Sequence, residues 1–223
     1  MVSPATEHEL VTVPDADALA ARAADWVADQ ARQAIAARGR FSFAVSGGST
    51  PWAMFAELVQ RQVDWPSVEL YQVDERVAPD GDPDRNLTHL RQALGAAPAT
   101  VHPMPVTEDD LDAGAAAYGA TLPPHLDLVH LGLGPDGHTA SLVPDDPALD
   151  VVDRPVAVTG IYQGHRRMTL TYPALARARQ VVWLVTGAEK RDALRRLLAH
   201  DRSIPAGRVE VSRSIVFADE SAR

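Results

Sequence analysis

The sequence predicts an α/β fold with a mainly parallel sheet and helices on both faces, and two observations support this prediction. Short apolar runs alternate with amphipathic segments along the 223 residues, which is typical of repeated strand–helix units. Residues 126–131, LDLVHL, are dominated by apolar side chains, as expected for a strand at the centre of a parallel sheet. No internal repeat or low-complexity linker interrupts the alternation, so we expect a single domain over residues 1–223.

The predicted elements begin with an alanine-rich amphipathic helix over residues 15–38, with Asp15 as N-cap and Gly39 as the residue that ends it. Further helices are predicted over residues 51–62, 86–94, 108–120 and 188–200. Strands are predicted over residues 41–45, 68–73, 126–131, 180–186 and 214–219, with one more beginning near Arg167.

Composition excludes several classes of protein. Hydrophobic residues make up 46% and charged residues 23% of the chain, which is the composition of a globular protein and not of a disordered or fibrous one. No apolar stretch reaches the length of about 18 residues that a transmembrane helix needs. The N-terminus lacks the features of a signal peptide, and the absence of cysteine removes disulfides and thiolate chemistry. We therefore expect a cytoplasmic protein with no membrane association.

The charge balance restricts the partners. With 30 acidic and 21 basic residues, the formal net charge is -9. An acidic chain is a poor candidate for nonspecific nucleic-acid binding, which needs a broad basic surface. A small basic pocket for an anionic metabolite remains compatible with this balance. Lys190 is the only lysine, and every other basic residue is arginine.

A glycine turn follows the first predicted strand. Ser46-Gly47-Gly48-Ser49 allows tight backbone turns, and Pro51 suits the first turn of a helix. The free N–H groups at such a helix start favour a phosphate. The alternative is an ordinary capped strand-to-helix turn.

Charged residues cluster after the second predicted strand. Asp74-Glu75-Arg76 comes first, and Arg85 follows nine residues after Arg76. Arginine presents a planar fork that can bind a phosphate through two hydrogen bonds. The alternative is a surface ion pair that contributes about 0–1 kcal/mol.

A glycine-rich loop with a histidine follows the central strand. Residues 132–137 match G-x-G-x-x-G, but the motif lies mid-chain and Pro135 removes an amide donor, so we discount dinucleotide binding. His138, with Asp136 two residues before it, instead predicts a general base oriented by a carboxylate. The alternative is a structural histidine. His130, inside the strand, is predicted to be a core residue.

Two more cations are candidates for an anion site. Lys190 lies in the first turn after Thr186-Gly187, where a lysine is unfavourable for the helix dipole unless its ammonium group faces an anion. Arg167 begins a strand, and a surface position is an equally good interpretation. No histidine or carboxylate spacing typical of metal ligands occurs, so no metal site is predicted.

Taken together, the motifs resemble those of 6-phosphogluconolactonases. They are SGGSTP, VDERVAPDGDPDRN, HLGLGPDGHTASL, RMTLTYPAL and VVWLVTGAEK, and they run from about Phe41 to the C-terminus. The resemblance implies a Rossmann-like fold shared with glucosamine-6-phosphate deaminases. It also implies hydrolysis of 6-phospho-D-glucono-1,5-lactone in the pentose phosphate pathway, without a metal or organic cofactor. The expected partner is a phosphosugar lactone, and the expected state is a monomer or small homo-oligomer.

The resemblance also implies residue roles. His138 would be the base that activates water, and Asp136 would orient it. The phosphate would be received by the turn Ser46, Gly47, Gly48 and Ser49 and neutralised by Arg76, Arg85 and Lys190, with Arg167 as a further cation. Arg85 departs from the family pattern, because serine is common at its position.

Three alternatives differ in class. A glucosamine-6-phosphate deaminase would have a tyrosine after Asp-Glu and an N-E-P element after the histidine loop, whereas this chain has Arg76 and Val143-Pro144-Asp145. A sugar-phosphate-sensing effector domain would need a helix-turn-helix unit, for which the region before Phe41 has no room. A nicotinamide-dependent oxidoreductase depends only on the discounted glycine pattern.

Overall fold

The computed structural model describes residues 8–223. Its helices, in chain order, are α1 (Ala16–Arg38), α2 (Ser49–Leu58), α3 (Asn86–Leu94), α4 (Leu111–Thr121), α5 (Tyr172–Leu175) and α6 (Arg191–Leu198). Its strands are β1 (His8–Val13), β2 (Phe41–Val45), β3 (Val68–Gln72), β4 (Asp74–Arg76), β5 (Thr100–His102), β6 (Leu128–Leu131), β7 (Val156–Val158), β8 (Arg167–Leu170), β9 (Val181–Val185) and β10 (Ser214–Asp219).

Seven strands form a parallel sheet in the order β1-β10-β9-β6-β2-β3-β5. Alternate side chains of each strand enter two hydrophobic clusters, one on each face. Helices α1, α2 and α3 cover one face, and α4 and α6 pack on the other. The predicted α/β class, with a mainly parallel sheet and helices on both faces, is confirmed.

Both ends of α1 are fixed by the residues that the sequence indicated. The Asp15 side chain accepts a hydrogen bond from the Ala18 amide at 2.8 Å. Gly39 adopts a left-handed conformation with φ of 75°, and its N–H donates to the Ile35 carbonyl at 2.8 Å. The helix predicted over residues 86–94 is found with those bounds as α3. The other three predicted helices are found with shifted ends, and α6 is preceded by a 3₁₀ turn, Ala188–Lys190.

A second sheet was not expected from the sequence. Strands β4, β8 and β7 pair antiparallel in that order, so the strand predicted near Arg167 exists but lies outside the parallel sheet. In this sheet Arg76 is directly opposite Arg167. The two arginines are therefore held side by side by backbone pairing, although they are far apart in sequence.

The sheet order places a crevice between the neighbouring strands β2 and β6. Strand β3, which follows β2 in the chain, lies on one side of this pair, whereas β9 lies next to β6 on the other side. Ligands of open α/β sheets bind at such a switch point, beyond the carboxyl ends of the strands. The loops that follow β2, β6 and β9 all meet there. In the described part of the chain, no helix is long and apolar enough to cross a membrane.

Candidate active site

A cavity of about 310 Å³ opens at this switch point. It is bounded by loops that follow four neighbouring strands of the main sheet and by the second sheet. Most of the residues singled out from the sequence line it: Ser46, Gly47, Gly48, Ser49, Arg76, His138, Arg167 and Lys190. Loops far apart in the chain thus supply one site, because the carboxyl ends of the parallel strands meet at the same edge of the sheet.

The glycine turn after β2 presents backbone amides to the cavity. Gly48 is the N-cap of α2 with φ of 133°, and no side chain caps the helix. A Cβ at Gly47 would lie 1.9 Å from Asn86 Oδ1, so only glycine fits at this position. Uncapped amides at the start of a ten-residue helix form a favourable environment for an anion.

His130 supports this turn from the core. The Ser46 amide donates to His130 Nδ1 at 3.3 Å, and Ser46 Oγ donates to the His130 carbonyl at 3.1 Å. Burial lowers the pKa of His130 to about 3, so the ring is neutral and its Nδ1 can accept. Its predicted place in the core is correct, and it additionally anchors the first residue of the turn.

His138 is held by the carboxylate of Asp136. The distance from His138 Nδ1 to Asp136 Oδ1 is 2.6 Å, and the His138 amide donates to the same oxygen at 3.1 Å. Burial acts to raise the pKa of Asp136, but the amide, charge and ring of His138 outweigh it and the net pKa is lowered. An ionised Asp136 accepting from Nδ1–H leaves Nε2 as the basic nitrogen.

The loop around His138 leaves no space for a larger residue at Gly134. A Cβ there would lie 2.0 Å from His138 Nδ1 and 2.6 Å from Asp136 Oδ1. The Gly134 amide also donates to the His138 carbonyl at 2.8 Å, which closes the loop. The glycine pattern after β6 therefore accommodates the histidine–aspartate pair.

A short hairpin covers this pair. Tyr162 and His165 form an antiparallel bridge around Gln163 and Gly164, both with positive φ. The Tyr162 ring meets the His138 ring edge-on with centroids 5.5 Å apart, and its hydroxyl lies 3.4 Å from Asp136 Oδ2. Gln163 lines the cavity. This hairpin was not predicted, and Gly164 is the one residue of it that indicates a turn.

Arg76 and Arg167 are oriented mainly by uncharged acceptors. Arg76 Nη1 donates to the Asp84 carbonyl at 2.8 Å and to Asn86 Oδ1 at 2.7 Å. Arg167 is buried, and its guanidinium lies 5.1 Å from the centre of the Tyr162 ring. Burial lowers the pKa of Arg167, and the charge of Arg76 lowers it further. Arg167 is therefore a buried cation in the site and not the surface residue of the alternative interpretation.

Lys190 brings a third cation to the cavity. In the described residues, its ammonium group has no hydrogen-bond or ion-pair partner. It lies in the 3₁₀ turn Ala188–Lys190 after β9, and Thr186 Oγ1 of the same loop is 3.0 Å from Thr50 Oγ1 at the start of α2. The unpaired ammonium group fits the expectation that it faces an anion.

Asp74 lines the cavity but was not assigned a role from the sequence. It is 4% exposed, accepts from Ser141 Oγ at 2.7 Å, and its pKa is raised by burial. Asn86 and Glu189 also line the cavity. Asp74 belongs to the charged cluster that the sequence indicated, and Asn86 directly follows Arg85 of that cluster. The sequence therefore indicated where these two residues lie but not what they contact.

Arg85 does not reach the cavity, which corrects the prediction that it neutralises a phosphate. Its side chain is 2% exposed and Nε lies 3.0 Å from Glu75 Oε2. Its Nη1 donates to the Ala78 carbonyl at 2.9 Å and to Asp80 Oδ1 at 3.1 Å. Buried beside a carboxylate, this guanidinium is directed away from any ligand. Among residues 8–223, no group of histidine, aspartate and glutamate side chains could hold a metal ion.

Comparison with known proteins identifies the family. The family model described as glucosamine-6-phosphate isomerases/6-phosphogluconolactonase matches residues 14–217. This chain belongs to that family. A relative from Synechocystis, named 6-phosphogluconolactonase, is 38% identical over 192 residues and covers 80% of each chain. The family resemblance of the sequence motifs is thereby confirmed.

Solved structures of the family have the same fold. A 6-phosphogluconolactonase from Shewanella baltica superposes with a TM-score of 0.87 at 28% identity, over 96% of this chain and 98% of the other. A monomeric glucosamine-6-phosphate deaminase gives a TM-score of 0.85 at 16% identity, over 96% and 98%. The fold alone therefore does not separate the two activities of the family.

Proposed function

We propose that this protein hydrolyses 6-phospho-D-glucono-1,5-lactone to 6-phospho-D-gluconate, a reaction of the oxidative pentose phosphate pathway. The observation that carries the proposal is the cavity that His138, paired with Asp136, shares with a glycine turn and unpaired cations. The loop after β6 supplies a base for water, and the turn after β2 together with the cations supplies an environment for an anion. The names of the relatives, 6-phosphogluconolactonase in Synechocystis and in Nostoc, support the same substrate.

His138 acts as the general base. Water is a weak nucleophile toward an ester carbonyl, so removal of its proton during attack on C1 lowers the barrier. Asp136 accepts from Nδ1–H and leaves Nε2 to take that proton. When the tetrahedral intermediate collapses, the bond from C1 to the ring oxygen breaks, and the proton on Nε2 passes to the departing oxygen. Atoms and charge balance without a cofactor.

The substrate phosphate binds at the glycine turn after β2. The uncapped amides around Gly48 and Ser49 donate to it, and Arg76 and Lys190 supply positive charge. Ser46, anchored on His130, fixes the start of the turn. An acidic protein thus binds a dianion through a local concentration of positive charge.

Charge that develops on the carbonyl oxygen needs donors that are already in place. Arg167 is the buried cation of the cavity, and its hydrogen bonds to Ser141 Oγ at 3.5 Å and the Tyr162 carbonyl at 3.4 Å are long. Long bonds to neutral acceptors leave this guanidinium able to strengthen its contact with an oxyanion. We assign Arg167 to this role, and Arg76 to the phosphate.

The chain is proposed to act as one domain over residues 1–223, as a monomer or small homo-oligomer in the cytoplasm. The absence of cysteine and the net charge of -9 support a cytoplasmic enzyme that does not bind nucleic acid.

The test compares two substrates on one preparation. Purified protein is incubated with fresh 6-phosphogluconolactone and, separately, with glucosamine 6-phosphate, with the enzyme-free rate subtracted. We expect accelerated acid release from the lactone and no ammonia release from the amino sugar. Ammonia release with no acceleration of lactone hydrolysis would overturn the proposal. Dialysis against EDTA should leave the lactonase rate intact, and a loss that zinc restores would contradict the mechanism.

A further inference from the structure

Glu75 is a buried carboxylate that does not face the cavity. It is 0% exposed, and its Oε1 accepts from the amides of Arg76 and Asn86, both at 2.8 Å. Its Oε2 accepts from Gln72 Nε2 at 2.8 Å and the Leu87 amide at 2.9 Å. A carboxylate has about four acceptor positions, so these donors use its full capacity. Glu75 therefore cannot contact a substrate.

Arg85 is the counter-ion of this carboxylate. Its guanidinium lies 3.0 Å from Glu75 Oε2, and both side chains are excluded from solvent. Removal of Arg85 would leave a buried carboxylate uncompensated, and removal of Glu75 would leave Arg85 with only the exposed Asp80 as a charged partner. The arginine that the sequence suggested as a phosphate ligand is thus part of the framework behind the site.

The same carboxylate replaces the missing cap of α3. Arg85 occupies the N-cap position without a side-chain cap, and Glu75 accepts from the first two helical amides, those of Asn86 and Leu87. A negative charge at a helix N-terminus is favourable, and these two bonds fix where the helix begins. The position of Asn86 therefore depends on Glu75.

Asn86 links this framework to the phosphate end of the cavity. Its Oδ1 accepts from Arg76 Nη1 at 2.7 Å, and its Nδ2 donates to the Asp74 carbonyl at 2.9 Å. The Asn86 side chain also lies directly against Gly47 of the glycine turn. Glu75 accepts hydrogen bonds from the backbone amides of both Arg76 and Asn86. One carboxylate therefore positions the two residues whose side chains contact each other.

We propose that Glu75 and Arg85 are positioning residues that set Arg76 and Asn86 against the glycine turn for binding of the substrate phosphate. This inference rests on the proposed function, because it concerns the phosphate group of that substrate. It assigns Glu75 to phosphate affinity and not to proton transfer.

The first test is Glu75→Gln, which keeps the shape but removes the charge and faces an NH₂ group toward backbone amides. We expect KM for 6-phosphogluconolactone to rise at least 10-fold while kcat changes less than about 3-fold. Affinity for 6-phosphogluconate, measured by titration calorimetry, should fall by the same factor as KM rises. A merely structural role would lower the amount of folded enzyme and leave KM unchanged.

A second variant guards against misfolding. Glu75→Gln combined with Arg85→Gln removes both charges, so no buried charge is left unpaired. This double variant should fold with the same raised KM. Asp127→Asn is the matched control, because Asp127 is also a nearly buried carboxylate paired with arginine but lies outside the cavity. Its KM should equal that of the wild type.

The outcomes separate this inference from the proposed function. An unchanged KM in folded Glu75→Gln or in the double variant would overturn it, as would a fall in kcat at constant KM. If wild-type protein fails to hydrolyse the lactone, the proposed function fails. Inorganic phosphate binding, measured by ³¹P NMR on wild type and double variant, then still decides the inference. Equal affinity in the two would overturn it, and a loss of at least 10-fold would support it.

Discussion

Arginines lie at both ends of the parallel strands, but their hydrogen-bond and ion-pair partners differ between the two ends. At the amino ends, Arg38 and Arg179 lie 2.9 and 3.4 Å from the same Asp127 carboxylate, beside a groove of about 480 Å³. At the carboxyl ends, Arg76 and Arg167 form no ion pair in the described part of the chain and bind carbonyl, amide and hydroxyl groups. Two arginines of the larger groove thus share a carboxylate, whereas the two arginines of the smaller cavity are held by neutral groups.

This difference explains why charge counts do not locate a site. A cation held by a neutral acceptor is oriented yet retains its attraction for an anion, whereas direct pairing with a carboxylate removes most of that attraction. The following variants test the contrast between the two ends, beginning with the largest expected effect.

The largest effect is expected at His138. His138→Asn should lower kcat by about 10²–10⁴-fold, the usual contribution of general-base assistance. Affinity for 6-phosphogluconate should persist, because the phosphate contacts lie on other loops. Steady-state kinetics and calorimetry measure the two quantities. A folded variant with near-normal kcat would show that the base lies elsewhere, with Asp74 as the next candidate.

Gly134→Ala should also lower kcat, although it removes no functional group. Its Cβ would lie 2.0 Å from His138 Nδ1, so the histidine–aspartate pair must move. Misplacement of a reacting group by about 1 Å can cost about 10²-fold, and we expect kcat to fall by that amount. Gly132→Ala is the comparison, because a Cβ there meets nothing within 4 Å. Equal losses in both variants would contradict the steric argument.

Lys190→Met tests the unpaired cation. We expect KM to rise, since loss of a charge-assisted hydrogen bond costs about 1–3 kcal/mol. Arg179→Met removes a cation of the opposite end that pairs with Asp127 and does not line the cavity, and KM should stay unchanged. A retained KM with reduced stability in Lys190→Met would assign Lys190 a structural role only.

The smallest effect is on stability and follows from Asp74. Burial raises its pKa, so the folded state favours the protonated carboxyl, and stability falls as pH rises from the ordinary pKa of about 3.9 through the raised value. Asp74→Asn should therefore raise Tm at pH 7 by about 2–4 °C, the shift that about 1 kcal/mol gives in a chain of this size. The gain should disappear near pH 4.

The control for that prediction lies at the other end of the strands. Asp127 accepts from Ser42 and pairs with Arg38 and Arg179, so Asp127→Asn should lower Tm at pH 7. Changes in Tm of opposite sign in Asp74→Asn and Asp127→Asn, measured by calorimetric unfolding, would support the contrast between the two ends of the strands. Equal signs would contradict it.

The sequence indicated the strands that carry the site, because buried parallel strands have strong apolar patterns. It missed β4, β5 and β7, which are each three residues long. Of these, β4 and β7 exist only through pairing with β8. Edge strand β1 was missed as well, since its pairing with β10 joins the two ends of the chain.

Side-chain direction was harder to predict than loop position. Arg76 and Arg85 follow the same strand and have the same chemistry, yet one lines the cavity and the other pairs with Glu75. The choice depends on where α3 begins and on which carboxylate is buried, and both are tertiary properties. Tyr162 was missed for the same reason, because its hairpin comes close to His138 only in the folded chain.

The single lysine makes this cavity chemically addressable. An amine-directed acylating or aldehyde reagent finds one ε-amine in the entire chain, and Lys190 places that amine in the cavity. Besides the α-amino group, every other basic side chain is arginine or histidine, so labelling would report occupancy of one location. A fluorophore or crosslinker could thus be attached in the cavity without engineering a cysteine.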